Sequence, residues 1–329
     1  ELGGHAARPA GVQNAHQKGL HQIVAVVSER NFGAAQLLRR RVHRERVHAR
    51  SGPALQHLLA APEQSLIEEA VVAQVRGMLA DLARQLAEAR WHSRPVPPRV
   101  GEEMLARLLQ DGDLRGHCQA LALEWRLARR LEAEFALDPV LSPLIEAWVA
   151  GADATAGSLA MASLAAQARF AQTQRRMQLP LAELPAELFH TVLAAAREVV
   201  PDDAPSTVPH ADATLRAEYD EADGRLALFA RLARDAGGRD ARLLDVEQAG
   251  VGLWLSALAA RSGESRERTA CAAADPHLGR LLLTLRAAGA APGEAERQAL
   301  RVQPEAALPR GLEDIGTREA AQWLAEAEA

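Results

Sequence analysis

Thirty-seven arginines stand against one lysine, Lys18, and that imbalance limits the chemistry these 329 residues can carry. The phosphate-cradling pattern G-x-x-x-x-G-K-[ST] has no lysine to end on. The kinase β3 lysine and the S-x-x-K hydrolase pair are missing for the same reason. A Schiff base can form only at Lys18, which stands among polar residues with no apolar pocket to activate the amine. Neither G-x-G-x-x-G nor G-x-S-x-G occurs. Asp220-Glu221-Ala222-Asp223 spells the tetrapeptide of DEAD-box helicases, but without a P-loop lysine it reads as an exposed face of a 212–235 helix. His16/His21 and His43/His48 are spaced i,i+5, off a shared helical face, and His117-Cys118 and Cys271/His277 miss the usual zinc spacings. Asp202-Asp203 and Asp212 read as loop-solvating carboxylates. The expectation is therefore no catalytic, cofactor-binding or metal-binding residue.

Binding chemistry leaves more candidates. Arg39, Arg40, Arg41, Arg44 and Arg46 form the one basic cluster, and guanidinium forks suit phosphates. No aromatic residue interleaves them to stack bases, so nucleic acid ranks below a protein partner. Trp125, Trp148 and Trp254 lie on apolar stripes and read as core. Trp91, beside His-Ser-Arg-Pro, and Trp323, near the end, are the candidates for exposed partner-binding anchors. His117, Glu124, His190 and Tyr219 lie on or beside apolar stripes and are the candidates for lining a pocket between helices.

The elements that must position these residues are helical. Alanine is abundant while Thr, Ile and Tyr are scarce, which favours helix over strand. Ser65 and Glu68 have capping-box spacing, and Ile67, Val71, Val75, Met78, Leu82 and Leu86 follow as one stripe that ends near Arg94-Pro95-Val96-Pro97-Pro98. Helices are expected over 101–110, through the stripe Leu114, Cys118, Leu121, Trp125, Ala128, Leu131 and Phe135, over 143–150, from about 155 to 177, and over 186–199. Pro201 to Pro209 reads as the best linker. Leu215, Tyr219, Ala222, Leu226 and Phe229 predict one further stripe, with Glu221 and Arg225 at i,i+4 on its solvated face. Short helices follow over 242–261, 264–273, 276–288, 292–302 and 317–328. The fold class read from this order is all-α, a multi-helix bundle (53–200) passing through a linker (201–210) into HEAT-like antiparallel helix pairs (211–329), α-solenoid-like in shape though without a fixed-period repeat.

Residues 1–50 hold nine Lys+Arg against three Asp+Glu, while the chain as a whole is at −5. That contrast and five histidines predict that 1–52 form a loosely attached or non-native extension; the alternative is a helical hairpin docked through Ile23, Val24, Val27, Leu37 and Leu38. Two cysteines, Cys118 and Cys271, make no disulfide framework and read as small reduced hydrophobes. With no secretory signal and no apolar run near the ~20 residues that span a bilayer, the expectation is a cytoplasmic protein without a membrane partner.

Residues 54–329 resemble a family of alphaproteobacterial, alanine-rich helical proteins catalogued only as a domain of unknown function. The likeness rests on Leu-Ser-Pro-Leu-Ile-Glu-Ala (141–147), Ala-Ala-Gln-Ala-Arg-Phe (165–170), Arg-Arg-Met-Gln-Leu-Pro-Leu-Ala-Glu-Leu-Pro (175–185), Ser-Gly-Glu-Ser-Arg-Glu (262–267) and Leu-Arg-Ala-Ala-Gly (285–289). The resemblance implies an all-α fold and transfers no catalytic residue. The function expected is a non-enzymatic protein-interaction or regulatory scaffold. The alternatives are a small-molecule sensor or enzyme with a pocket between helices, and nucleic-acid binding through the basic N-terminal segment.

Overall fold

From Val71 onward the first apolar stripe is buried: Val75, Met78, Leu82 and Leu86 have no solvent exposure. It lies on α1 (Leu66–Arg90). The computed structural model describes residues 66–91, 95–202, 207–236, 240–309 and 311–326. Over these it is 76% helical, with 14 α-helices and no strand beyond an isolated bridge between Trp91 and Thr207. The expectations about residues 1–52, the arginine cluster at 39–46 included, lie outside the described residues.

Local chemistry sets the helix ends. Pro98 opens α2 (Pro98–Leu108), where a missing N–H costs nothing. Asp111 caps α3 (Gly112–Phe135) by accepting the Leu114 N–H at 2.8 Å, and Ala136 ends it in the left-handed region. Ser142 caps α4 (Pro143–Val149), and Asp153 caps α5 (Ala154–Arg175). The helix α6 (Ala186–Val199) follows Pro185. Beyond it come α7 (Ala211–Glu218), α8 (Arg225–Arg231), α9 (Val246–Ala249), α10 (Val251–Ser262), α11 (Arg266–Ala274), α12 (Gly279–Ala287), α13 (Pro292–Val302) and α14 (Thr317–Glu326).

These helices enclose two apolar clusters. The first gathers α1, α2 and α6 with Leu114, Cys118, Leu121 and Trp125 of α3 and Phe170 of α5. The second surrounds α10 and draws in Leu127 and Leu131 of α3, Leu144 and Ile145 of α4, and Ala160 of α5. The division therefore crosses α3 and α5, and does not fall in the 201–210 segment. Leu215 and Tyr219, beyond that segment, still pack on the first cluster. The flanks of the segment are fastened to the end of α1. Arg90, fully buried, donates to the Val200 carbonyl (3.1 and 2.7 Å) and pairs with Asp202 (2.5 Å) and Asp212. Asp212, expected in a solvated loop, is itself buried.

The expected HEAT-like stacking finds no support, and one further expectation changes. HEAT-like stacks contact only sequence neighbours. Here α11 also packs on α3 and α9 on α4, elements about a hundred residues or more away, and the contacts around α10 do not by themselves make a HEAT-like stack. The single 212–235 helix is also interrupted. Asp220 accepts the Ala222 N–H at 2.9 Å and opens a 3₁₀ turn, Glu221–Asp223. Tyr219 stacks on Phe189 with ring centroids 3.9 Å apart and donates to the Leu184 carbonyl at 2.8 Å. Glu221 accepts the Ala186 N–H at 3.1 Å. One local bond, from Asp220 to Ala222, and two to residues 35 positions away thus turn the chain where apolar periodicity alone continues the helix.

Candidate functional site

Interrupting that helix changes where Arg225 goes. Expected on a solvated face beside Glu221, it is instead 2% exposed and faces the interior. Its Nη1 and Nη2 donate to Glu124 Oε1 and Oε2 at 2.6 and 3.0 Å, and Nη1 also reaches Gln167 Oε1 at 3.1 Å. The guanidinium carbon lies 3.6 Å from the centre of the Phe170 ring. From α11, Arg266 donates to Glu124 Oε2 at 2.9 Å and to Ser256 Oγ at 3.0 Å. Glu124, 1% exposed, thus sits between two guanidinia. Burial pushes its carboxyl up, but the two arginines outweigh burial and bring its pKa down to about 2. Burial lowers the Arg266 guanidinium, against the opposing pull of Glu124. A buried carboxylate holds its charge only with such partners.

The cluster fits because α10 brings no side chain where it passes. A Cβ on Gly252 would lie 2.7 Å from a Phe229 ring carbon, 2.9 Å from Glu124 Oε1 and 3.1 Å from Arg225 Nη1. The cluster also joins the apolar halves: Glu124 stands on α3 between Leu121 of the first and Leu127 of the second, and Arg225 and Arg266 come from elements around the second.

Arg225 is also one wall of a cleft of about 470 Å³ at the α7–α8 break. Leu121, Phe170, Leu179, Pro180 and Leu226 give it apolar walls; Glu183, Glu218, Asp220, Asp223 and Arg169 bring charge. Glu183 Oε2 accepts the Arg225 backbone N–H at 3.0 Å, and Oε1 lies 3.9 Å from Arg169 Nε.

A second recess, a groove of about 630 Å³, runs between α1 and α2. Ala80, Ala87, Leu105 and the Pro95–Pro98 connector make it apolar, while Arg84, Glu88 and Glu102 bring charge. Arg84 is already committed to Asp81 (2.7 Å) and Glu88 (2.9 Å).

The four polar residues expected to line one pocket are not brought together. His117 is buried against Glu267, with Nδ1 to Oε1 at 3.2 Å, and this bond, against burial, lowers the Glu267 carboxyl to about 2. Glu124 belongs to the ion cluster, His190 is exposed, and Tyr219 stacks on Phe189. None of them lines either recess. Trp91 and Trp323, the expected surface anchors, are half-buried, Trp91 packed on the first cluster and Trp323 on the second. Trp254 is fully buried and donates to the Leu244 carbonyl at 3.1 Å, Trp125 is 9% exposed, and Trp148 is half-buried. Cys118 is buried, which pushes its thiol up to about 12, whereas Cys271, expected in apolar surroundings, is exposed on α11. Among the described residues no three His, Cys, Asp or Glu side chains are grouped to hold a metal ion, and no helix is long and apolar enough to cross a membrane.

Sequence reasoning missed Arg225, Arg266 and Gly252. Gly252 carries a readable signal, a glycine inside the apolar run Val251-Gly252-Leu253-Trp254-Leu255. No family model, no curated protein and no solved structure matches the chain.

Proposed function

We propose that the protein is a cytoplasmic helical interaction module whose α1–α2 groove docks a basic, amphipathic helix of a partner protein. The observation that supports this reading is the make-up of the groove. It has an apolar floor of Ala80, Ala87, Leu105 and the prolines, edged by charge, as in protein interfaces with an apolar centre and polar rim. A groove between two packed helices suits a third helix that presents apolar residues at i, i+3 and i+4. With Arg84 neutralised by Asp81 and Glu88, Glu102 leaves the rim acidic, which calls for lysine or arginine beside the partner's apolar stripe.

Selection from a displayed library of helical peptides tests the reading. Basic amphipathic sequences should be enriched. Binding should be lost with Ala80→Arg, a change at an exposed position that leaves the core alone. Glu102→Lys should weaken the same peptides roughly tenfold, as expected when one ion pair worth about 1.4 kcal/mol becomes a repulsion. Enrichment of acidic peptides, or equal binding to the Ala80→Arg variant, would reject the groove as the docking site.

A further inference from the structure

We infer that the cleft at the α7–α8 break is a binding site for a small organic cation with an apolar or aromatic body. This site is separate from the groove and does not depend on the docking proposed there. Its volume of about 470 Å³ is within the range of small-molecule sites, which are mostly apolar with a few fixed polar groups. Leu226, half-buried, is the apolar wall from which a ligand displaces water, with Leu121 and Phe170, from two other elements, nearly buried behind it.

The sign of the ligand follows from which charges are already used. Four carboxylates line the cleft against two guanidinia. Arg225 is spent: it binds both oxygens of Glu124, and Gln167 takes a further bond. Arg169 stands beside Glu183, 3.9 Å away, with more than half its side chain in solvent. Asp220 Oδ1 caps the 3₁₀ turn. Glu218 and Asp223 make no ion pair among the described residues, and both are exposed at the mouth. The second cation of the buried cluster, Arg266, does not line the cleft. A ligand therefore enters with its apolar end toward Phe170 and leaves its ammonium group among the mouth carboxylates. An anion meets those carboxylates and finds Arg225 with its hydrogen bonds committed.

Three probes that share an indole and differ in charge separate this reading from general stickiness: tryptamine, tryptophol and indole-3-acetate, titrated into the full chain by calorimetry. Tryptamine should bind about tenfold more tightly than tryptophol, the ratio that ~1.4 kcal/mol of charge attraction produces, and indole-3-acetate should bind most weakly. The double change Glu218→Gln with Asp223→Asn should bring tryptamine down to the affinity of tryptophol and leave tryptophol unaltered. Ala182→Trp, at an exposed position of the lining, should block both. Ala80→Arg in the groove should alter neither, so failure of one site is distinguishable from failure of the other. No binding of tryptamine, equal affinity for the three probes, preference for the acetate, or full binding by Ala182→Trp would each overturn the inference.

Discussion

The groove between α1 and α2 and the cleft at the α7–α8 break are both recesses between helices, yet they are built in opposite ways. The groove lies on continuous helices over an apolar cluster, and its one arginine, Arg84, pairs with carboxylates three and four residues away on the same helix. The cleft forms where a helix is interrupted, and its wall residue Arg225 is tied to Glu124, 101 residues distant. Changes at the groove should therefore act on binding and spare stability. Changes behind the cleft should act on stability first, because a desolvated charge depends on every one of its partners.

Removing the charge of Glu124 should break this contrast most severely. Glu124→Gln leaves Arg225 and Arg266 buried without a counter-ion, and urea denaturation should show a loss of about 3–5 kcal/mol. A loss near zero would mean that the two guanidinia find water and that the cluster does not tie the halves of the fold together. Acid should act in the same direction. The Glu124 and Glu267 carboxyls are both depressed to about 2 from an ordinary 4.5. A depressed carboxyl contributes stability that is fully present above its unfolded pKa and is lost as pH falls through the folded one. Denaturation midpoints should thus be insensitive to these two groups above about pH 5 and fall progressively from there toward pH 2. Stability that stays flat down to pH 3 would contradict the assignment.

A smaller effect is expected where the cluster meets α10. Gly252→Ala forces a methyl against Phe229 and Glu124 and should cost about 1–3 kcal/mol, the range for an overpacked core. The smallest belongs to the groove: Glu102→Lys, on the exposed surface, should change stability by no more than about 0.5 kcal/mol while it weakens basic peptides. A large loss of stability there would show that the rim is structural.

Periodicity located most of these helices, because punctuation and stripe agree along much of the chain. Pro185 before α6 and Pro292 at the start of α13 fix the expected 186–199 and 292–302 helices. The α7–α8 break was illegible for a specific reason. Leu215, Tyr219, Ala222, Leu226 and Phe229 keep helical spacing, while the turn depends on the Tyr219 bond to Leu184 and the Glu221 bond to Ala186, both 35 residues away. The same local spacing paired Arg225 with Glu221 and hid Glu124, its real partner. Half of that pair was readable, since Glu124 falls between Leu121 and Leu127 on an apolar stripe where a lone carboxylate requires a cation. Both recesses depend on elements meeting in space, the groove through α1 and α2 and the cleft through α3, α5 and the 218–226 turn. No pattern along one element contains them.

Amide hydrogen exchange on the full chain, with and without a selected basic helical peptide, tests the docking claim most directly. Docking in the groove slows exchange at Ala80–Glu88 and Gly101–Leu105, the lining stretches that carry N–H groups, and leaves 169–183 and 218–226 unchanged. Slowed exchange confined to those latter segments, or none at Ala80–Glu88 under saturating peptide, would contradict the account.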